Sequence, residues 1–77
     1  MNQQQTAACN FASGSILRLA KYQSDKRQGF MRKTAKNLLK APNKDDLEFA
    51  IEWLEYEKAF TEDVEILDRC IDRLLTI

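Results

Sequence analysis

The stretch DLEFAIEWLEYEKAF, residues 46–60, carries apolar side chains on two sides of the helix it predicts, and how those two sides are covered sets the fold. At about 100° per residue, Leu47, Ala50, Ile51 and Leu54 gather around one direction, while Phe49, Trp53, Tyr56 and Phe60 gather around a nearly opposite one. An acidic ridge, Glu48, Glu52 and Glu55, runs between them. A helix at the edge of a small bundle needs one apolar stripe, so a helix with two is either sandwiched inside the bundle or shared with another chain. In the first arrangement this helix is central, with the next helix on its aliphatic side and the preceding ones on its aromatic side. In the second, the aromatic side meets a partner.

Upstream, Asn43 is placed to cap this helix, and Asp45 and Asp46 put negative charge at its start, where the helix dipole favours it. Pro42 ends the element before, because its ring cannot continue the hydrogen-bond ladder and it pushes the preceding residue out of the α region. That element, DKRQGFMRKTAKNLLKA, brings Met31, Ala35, Leu38 and Leu39 to one face and Arg32, Lys33, Lys36 and Lys40 to the other, which makes it a basic amphipathic helix. Before it lies SILRLAKYQ, with Ile16, Leu19 and Ala20 on one side and Ser13 or Ser15 as a cap. The two segments read either as separate helices, the second capped by Ser24 and Asp25, or as one helix weakened near Gly29.

Downstream, Thr61 is placed to cap a last helix with Glu62 and Asp63 behind it. Val64, Leu67, Ile71 and Leu74 then form its seam, broadened by Cys70 and Leu75, with Glu65 and Arg69 spaced as an i,i+4 pair. No strand-like alternation or hairpin signal occurs. The expected fold is all-α, a small bundle of three to four helices spanning residues 13–77, behind a flexible N-terminal tail over residues 1–12.

At 77 residues the chain has room for one domain. A domain of this size buries only about 60% of its unfolded surface, so efficient packing or a partner is needed for stability. Net charge is zero but unevenly spread: residues 1–44 hold nine Lys/Arg against Asp25 alone, and residues 45–77 hold Lys58, Arg69 and Arg73 against eleven acids. The plainest account is a basic helix lying against acidic ones.

The chain has no histidine, which removes Ser-His-Asp and Cys-His sites and most zinc and haem arrangements. With Gly14 and Gly29 its only glycines, neither a phosphate-cradling loop nor a dinucleotide fingerprint can be written. The acidic residues of NKDDLE lack the spacing of a calcium loop. The expectation is a protein that is not an enzyme, with no catalytic residues, metal or cofactor. Cys9 and Cys70 lack CxxC spacing and read as reduced thiols. No apolar run approaches the roughly 18 residues of a membrane span, and the start lacks the charged and apolar regions of an export signal, so a soluble cytoplasmic protein is expected.

Two functional expectations follow. The first is a small regulatory or inhibitory protein that docks a helical surface on a protein partner, with Phe49, Trp53, Tyr56 and Phe60 as anchors, since Trp and Tyr bury large area at low entropic cost. A homodimer is favoured over a monomer, because a two-fold pair covers the second apolar face. Compact, charge-polarised proteins of this kind are common on phages and mobile elements. The alternative is a nucleic-acid-binding or nucleoid-associated module in which Arg27, Arg32, Lys33, Lys36 and Lys40 neutralise phosphates. The aromatic anchors typical of membrane-surface helices are missing from the apolar face of the basic helix, so no membrane role is expected.

Within DDLEFAIEWLEYE, residues Asp45, Leu47, Glu48, Ile51, Glu52, Tyr56 and Glu57 resemble a stretch of the haemolysin-expression-modulating family, small helical proteins that bind a nucleoid silencing protein. The resemblance covers about a sixth of the chain and implies a small helical modifier of a larger protein.

Overall fold

The computed structural model describes residues 1–77, which form four α-helices: α1 (Gln3–Ala20), α2 (Asp25–Lys40), α3 (Lys44–Glu57) and α4 (Val64–Leu75). A 3-10 turn, Lys58–Phe60, prolongs α3, and there are no strands, so the all-α bundle stands. Three starts are chemically marked. The Asn2 side chain accepts from the Gln5 N–H at 2.7 Å while the Gln5 side chain accepts from the Asn2 N–H at 2.9 Å, a capping box. Asn43 and Asp46 make the same reciprocal pair at α3, at 2.8 and 3.0 Å. Ser24 caps α2, so the segments on either side of residues 21–24 are two helices.

The tail expected over residues 1–12 is instead the first half of α1. Ala8, Cys9, Ala12, Ser13, Ile16 and Ala20 are buried at spacings of three, four and eight residues, forming a seam of mostly small side chains that lets another helix approach closely. Ser13 and Ser15 therefore lie inside the helix and do not cap it. The Ser13 hydroxyl donates to the Ala35 carbonyl of α2 at 2.8 Å, which satisfies a polar group in the core. The side chain of Gln5 donates to Thr76 Oγ1 at 2.9 Å and ties the start of α1 to the end of α4.

The start of α4 also departs from expectation. Its cap residue is Asp63, which makes no side-chain cap, and Thr61 Oγ1 accepts only from the Asp63 N–H at 3.2 Å. The Glu65–Arg69 ion pair does not form. Lys58 instead reaches Asp68 at 2.6 Å and holds the 3-10 turn against α4.

Packing gives α3 a central place shared with α1. Each of these two helices contacts the other three, with α2 and α4 on the flanks, and α1 with α2 shares the most extensive contact. The core is Ile16, Met31, Leu38, Leu54, Leu67, Ile71 and Leu74 with the small residues of α1 between them. Leu39 and Leu75, expected inside, are exposed. The bundle explains this: its Cα extents are 32 × 30 × 15 Å, a slab little more than one helix thick, and only 19 of 77 residues are buried. The radius of gyration, 11.6 Å, is that of a compact domain of this length, for which about 11.5 Å is typical. Yet the chain exposes 5244 Å², against about 4,850 Å² for a monomer of its mass. No helix is long and apolar enough to cross a membrane.

Candidate functional site

The aromatic residues of α3 and its 3-10 extension join Phe30 of α2 in one continuous ladder. Phe30 meets Phe49 edge-on at 5.1 Å, Phe49 stacks on Trp53 at 6.2 Å, Trp53 leans on Tyr56 at 6.0 Å, and Tyr56 on Phe60 at 5.0 Å. These separations and tilts lie in the range in which aromatic pairs attract beyond their area burial. The four rings predicted from sequence are thus brought together, and Phe30 is a fifth that helical periodicity of one segment could not supply.

Burial divides the ladder. Trp53 is 8% exposed, whereas Phe30, Tyr56 and Phe60 are 53%, 60% and 73% exposed, with Phe49 half-buried. Helix rotation accounts for the difference between Trp53 and Tyr56: Trp53 lies about 60° around the axis from Tyr56, toward the core-facing edge of the stripe, so the indole is sealed and the phenol is left open. The second apolar face of α3 is therefore covered at Trp53, half-covered at Phe49 and uncovered at Tyr56 and, in the turn that follows, Phe60.

The indole is also held by a polar lock. Its N–H donates to Glu57 Oε1 at 3.0 Å, one helical turn on. The same oxygen accepts from the Ser15 hydroxyl of α1, and the Arg18 guanidinium lies 4.0 Å away. Glu57 is largely buried, and this convergence from two helices is what satisfies its charge there. Sequence reasoning assigned Glu57 no role of its own; the Trp53/Glu57 spacing was the available signal, but Ser15 and Arg18 join only through the tertiary fold.

On the outer side of Trp53 a groove of about 370 Å³ is lined by Gln23, Arg27, Phe49, Glu52, Trp53 and Tyr56. A second hollow of about 300 Å³ lies beyond Tyr56, against Arg18, Leu19 and Phe60. Tyr56 thus stands as a ridge between two depressions, a relief that offers an opposing surface both a knob and holes.

The five basic residues predicted for α2 separate into two groups. Arg27, in the first turn, lines the aromatic groove. Arg32, Lys33, Lys36 and Lys40 fall within an arc of about 100° on the side of α2 away from the core, where all four are exposed and none forms an ion pair. Arg18 to Glu57 is the one ion pair between helices from the basic and acidic halves, so the opposite charges of the two halves are left largely unneutralised by each other.

The thiols stand apart from this surface. Cys9 and Cys70 are free and buried, and Cys70 Sγ donates to the Ala8 carbonyl at 3.4 Å. Burial, with the nearby Cys9 adding to it, pushes the Cys70 thiol up to about 11, and burial raises Cys9 as well. Both are held in the unreactive protonated form. The carboxylates weighed for cation binding, Glu48, Glu52 and Glu55 or Glu62, Asp63 and Glu65, form no metal-holding group.

No family model, no curated protein and no solved structure matches this chain, and the short likeness of residues 45–57 to the haemolysin-expression-modulating family carries no membership.

Proposed function

We propose that this chain is a small non-enzymatic regulatory or inhibitory protein that acts by protein–protein interaction through the aromatic stripe of α2 and α3. One observation carries the reading: Phe30, Tyr56 and Phe60 are more than half exposed at the open edge of a ladder whose central ring is locked in place. With about 200 Å² per aromatic side chain, these three present roughly 370 Å² of apolar surface, the size of patch that on a monomer commonly marks a binding site. The rings cost little conformational entropy on binding, and the Glu57 lock fixes the floor they stand on. Tyr56 and Phe60 are the anchors. Trp53 supports them from beneath, so replacing it damages the fold as well as the surface.

The test is capture from lysate with the tagged chain as bait and identification of the retained proteins by mass spectrometry, comparing Tyr56→Ser/Phe60→Ser with Lys36→Ala. The ring variant is expected to abolish retention of the partner and Lys36→Ala to leave it intact; equal, small effects would count against the stripe.

The second reading, contact with nucleic acid through α2, is favoured by the unpaired arc of Arg32, Lys33, Lys36 and Lys40. Four phosphate contacts imply a log–log salt slope of about −3.6 on duplex DNA. Absence of any gel retardation at low ionic strength would remove this reading.

A further inference from the structure

The two flanks of the stripe carry opposite charge. Arg27 of α2 and Glu52 of α3 line the same groove with Phe49, Trp53 and Tyr56, and at about 100° per residue Glu52 stands on the far edge of the ring stripe from Trp53, beyond Phe49 and Tyr56. Both side chains are exposed and neither forms an ion pair within the chain, although Glu48 and Glu55 of the same ridge are paired with Lys44 and Lys58. We propose that the occupant of the stripe is a second copy of this chain, packed face to face about a two-fold axis that runs along α3, so that Arg27 of each copy meets Glu52 of the other. This rests on reading the stripe as a protein-docking surface and names what docks there.

Symmetry and charge together select this arrangement. In a face-to-face pair the two-fold axis lies in the plane of the interface. An axis perpendicular to the stripe turns the α3 helices antiparallel but sets each flank against its own copy, Arg27 against Arg27 and ridge against ridge. An axis along the stripe keeps the α3 helices parallel and exchanges the flanks, so each basic side meets an acidic one at the same height. Like charges brought together cost free energy, whereas opposite charges fix register and suppress the wrong alignment. The rings then meet their own counterparts, Tyr56 beside Tyr56 and Phe60 beside Phe60.

A second copy also suits the flanks better than a foreign helix of one charge. An acidic helix would answer Arg27 and leave Glu52 facing like charge under the interface, and a basic one the reverse; an unpaired charge out of water is costly. The second copy answers both. The roughly 370 Å² of exposed ring surface supplies about half of the 800 Å² that each member of a standard interface buries, and the two hollows beside Tyr56 and the charged flanks lie where the remainder must come from.

The experiment is sedimentation equilibrium of the full chain over a wide concentration range, with far-UV circular dichroism as the check that each variant folds. The chain is expected to reach twice its 9.0 kDa mass. Arg27→Glu and Glu52→Arg, both at exposed positions, are each expected to weaken self-association about tenfold or more, because the two-fold axis turns both charge pairs of the dimer into like-charge contacts. An equimolar mixture of the two is expected to recover it. In the mixed dimer the carboxylate introduced in one copy faces the guanidinium introduced in the other, and the second contact is the native Arg27 with the native Glu52, so both are favourable. A chain that stays monomeric at every concentration overturns the proposal, as does a mixture that fails to recover association. A dimer indifferent to Tyr56→Ser/Phe60→Ser also overturns it, by placing self-association on another face. If the chain is monomeric yet that ring variant still loses a different protein partner, the second copy is excluded while the stripe remains a docking surface.

Discussion

The start of α1 and the outer edge of α3 are opposites in composition and in fate. Residues 3–12 are Gln, Thr, Ala, Cys, Asn and Phe, with little hydrophobic contrast, and yet Ala8, Cys9 and Ala12 are sealed in the core. Residues 49–60 hold four large rings, and two of those four are more than half exposed. The contrast shows that burial in a slab 15 Å thick is decided by fit between helices more than by side-chain hydrophobicity. Small residues allow α1 to come close to its neighbours, while the bulk of Tyr56 and Phe60 lies where no fourth neighbour exists.

The sharpest way to break the comparison is to remove its quiet half. Deleting residues 1–12 is expected to abolish cooperative thermal unfolding, because it takes three members of the core and the Gln5–Thr76 tie with it; a truncated chain that melts like the full one would restore the tail reading. Next in size is Glu57→Ala, which strands the Trp53 N–H and the Ser15 hydroxyl. A loss of about 1–3 kcal/mol is expected in urea titrations, with the indole emission shifted toward that of a hydrated ring.

The quiet half can also be probed by pH. Cys70 is raised from 9.0 to about 11 in the fold, so between those values the unfolded chain has released a proton that the folded one retains. Stability from this source is complete below pH 9.0 and is lost as pH rises through about 11. Urea midpoints are expected to fall over that interval more steeply in the native sequence than in Cys9→Ala/Cys70→Ala; parallel profiles would show that the thiols contribute nothing.

Smaller effects sharpen the contrast from the other side. Gly29 and Gly14 are helical with open space where a Cβ would stand, so Gly29→Ala is expected to stabilise by about 1 kcal/mol, read as a raised melting temperature. Tyr56→Ser/Phe60→Ser is expected to change monomer stability least, by about 0.5 kcal/mol or less, while changing binding most. A large destabilisation there would make these rings core residues despite their exposure.

What the sequence made legible follows the same division. The faces of α2 and α4 and the two-sided character of α3 were readable because Met31, Leu38, Leu67, Ile71, Leu74 and Leu54 stand out from polar neighbours at helical spacing. The seam of α1 was not, since Ala, Cys and Ser differ little in hydropathy from the residues around them, and Ser13 is tolerated inside only because the Ala35 carbonyl is there to accept its proton. Periodicity brought the four α3 rings together but could not say that Trp53 is sealed and Tyr56 open, which depends on where α1 and α2 lie. Nor could it place Phe30, since the pairing of α2 with α3 is a tertiary fact. Likewise, Arg27 and Lys36 look alike along the chain, but one lines the groove and the other faces away from it.

The contact of α1 with α4 has a consequence for how the chain is made. Helix α1 leaves the ribosome before α4 and finds one of its three helical neighbours there, at a sequence separation as large as the 71 residues from Gln5 to Thr76. During elongation, at roughly 5–20 residues per second, α1 can dock on α2 and then on α3, but the flank that α4 covers stays wet for seconds until α4 arrives. The α1–α4 contact therefore forms only after residues 64–76 are translated, and it closes a loop of 71 residues, a non-local step of the kind that slows folding.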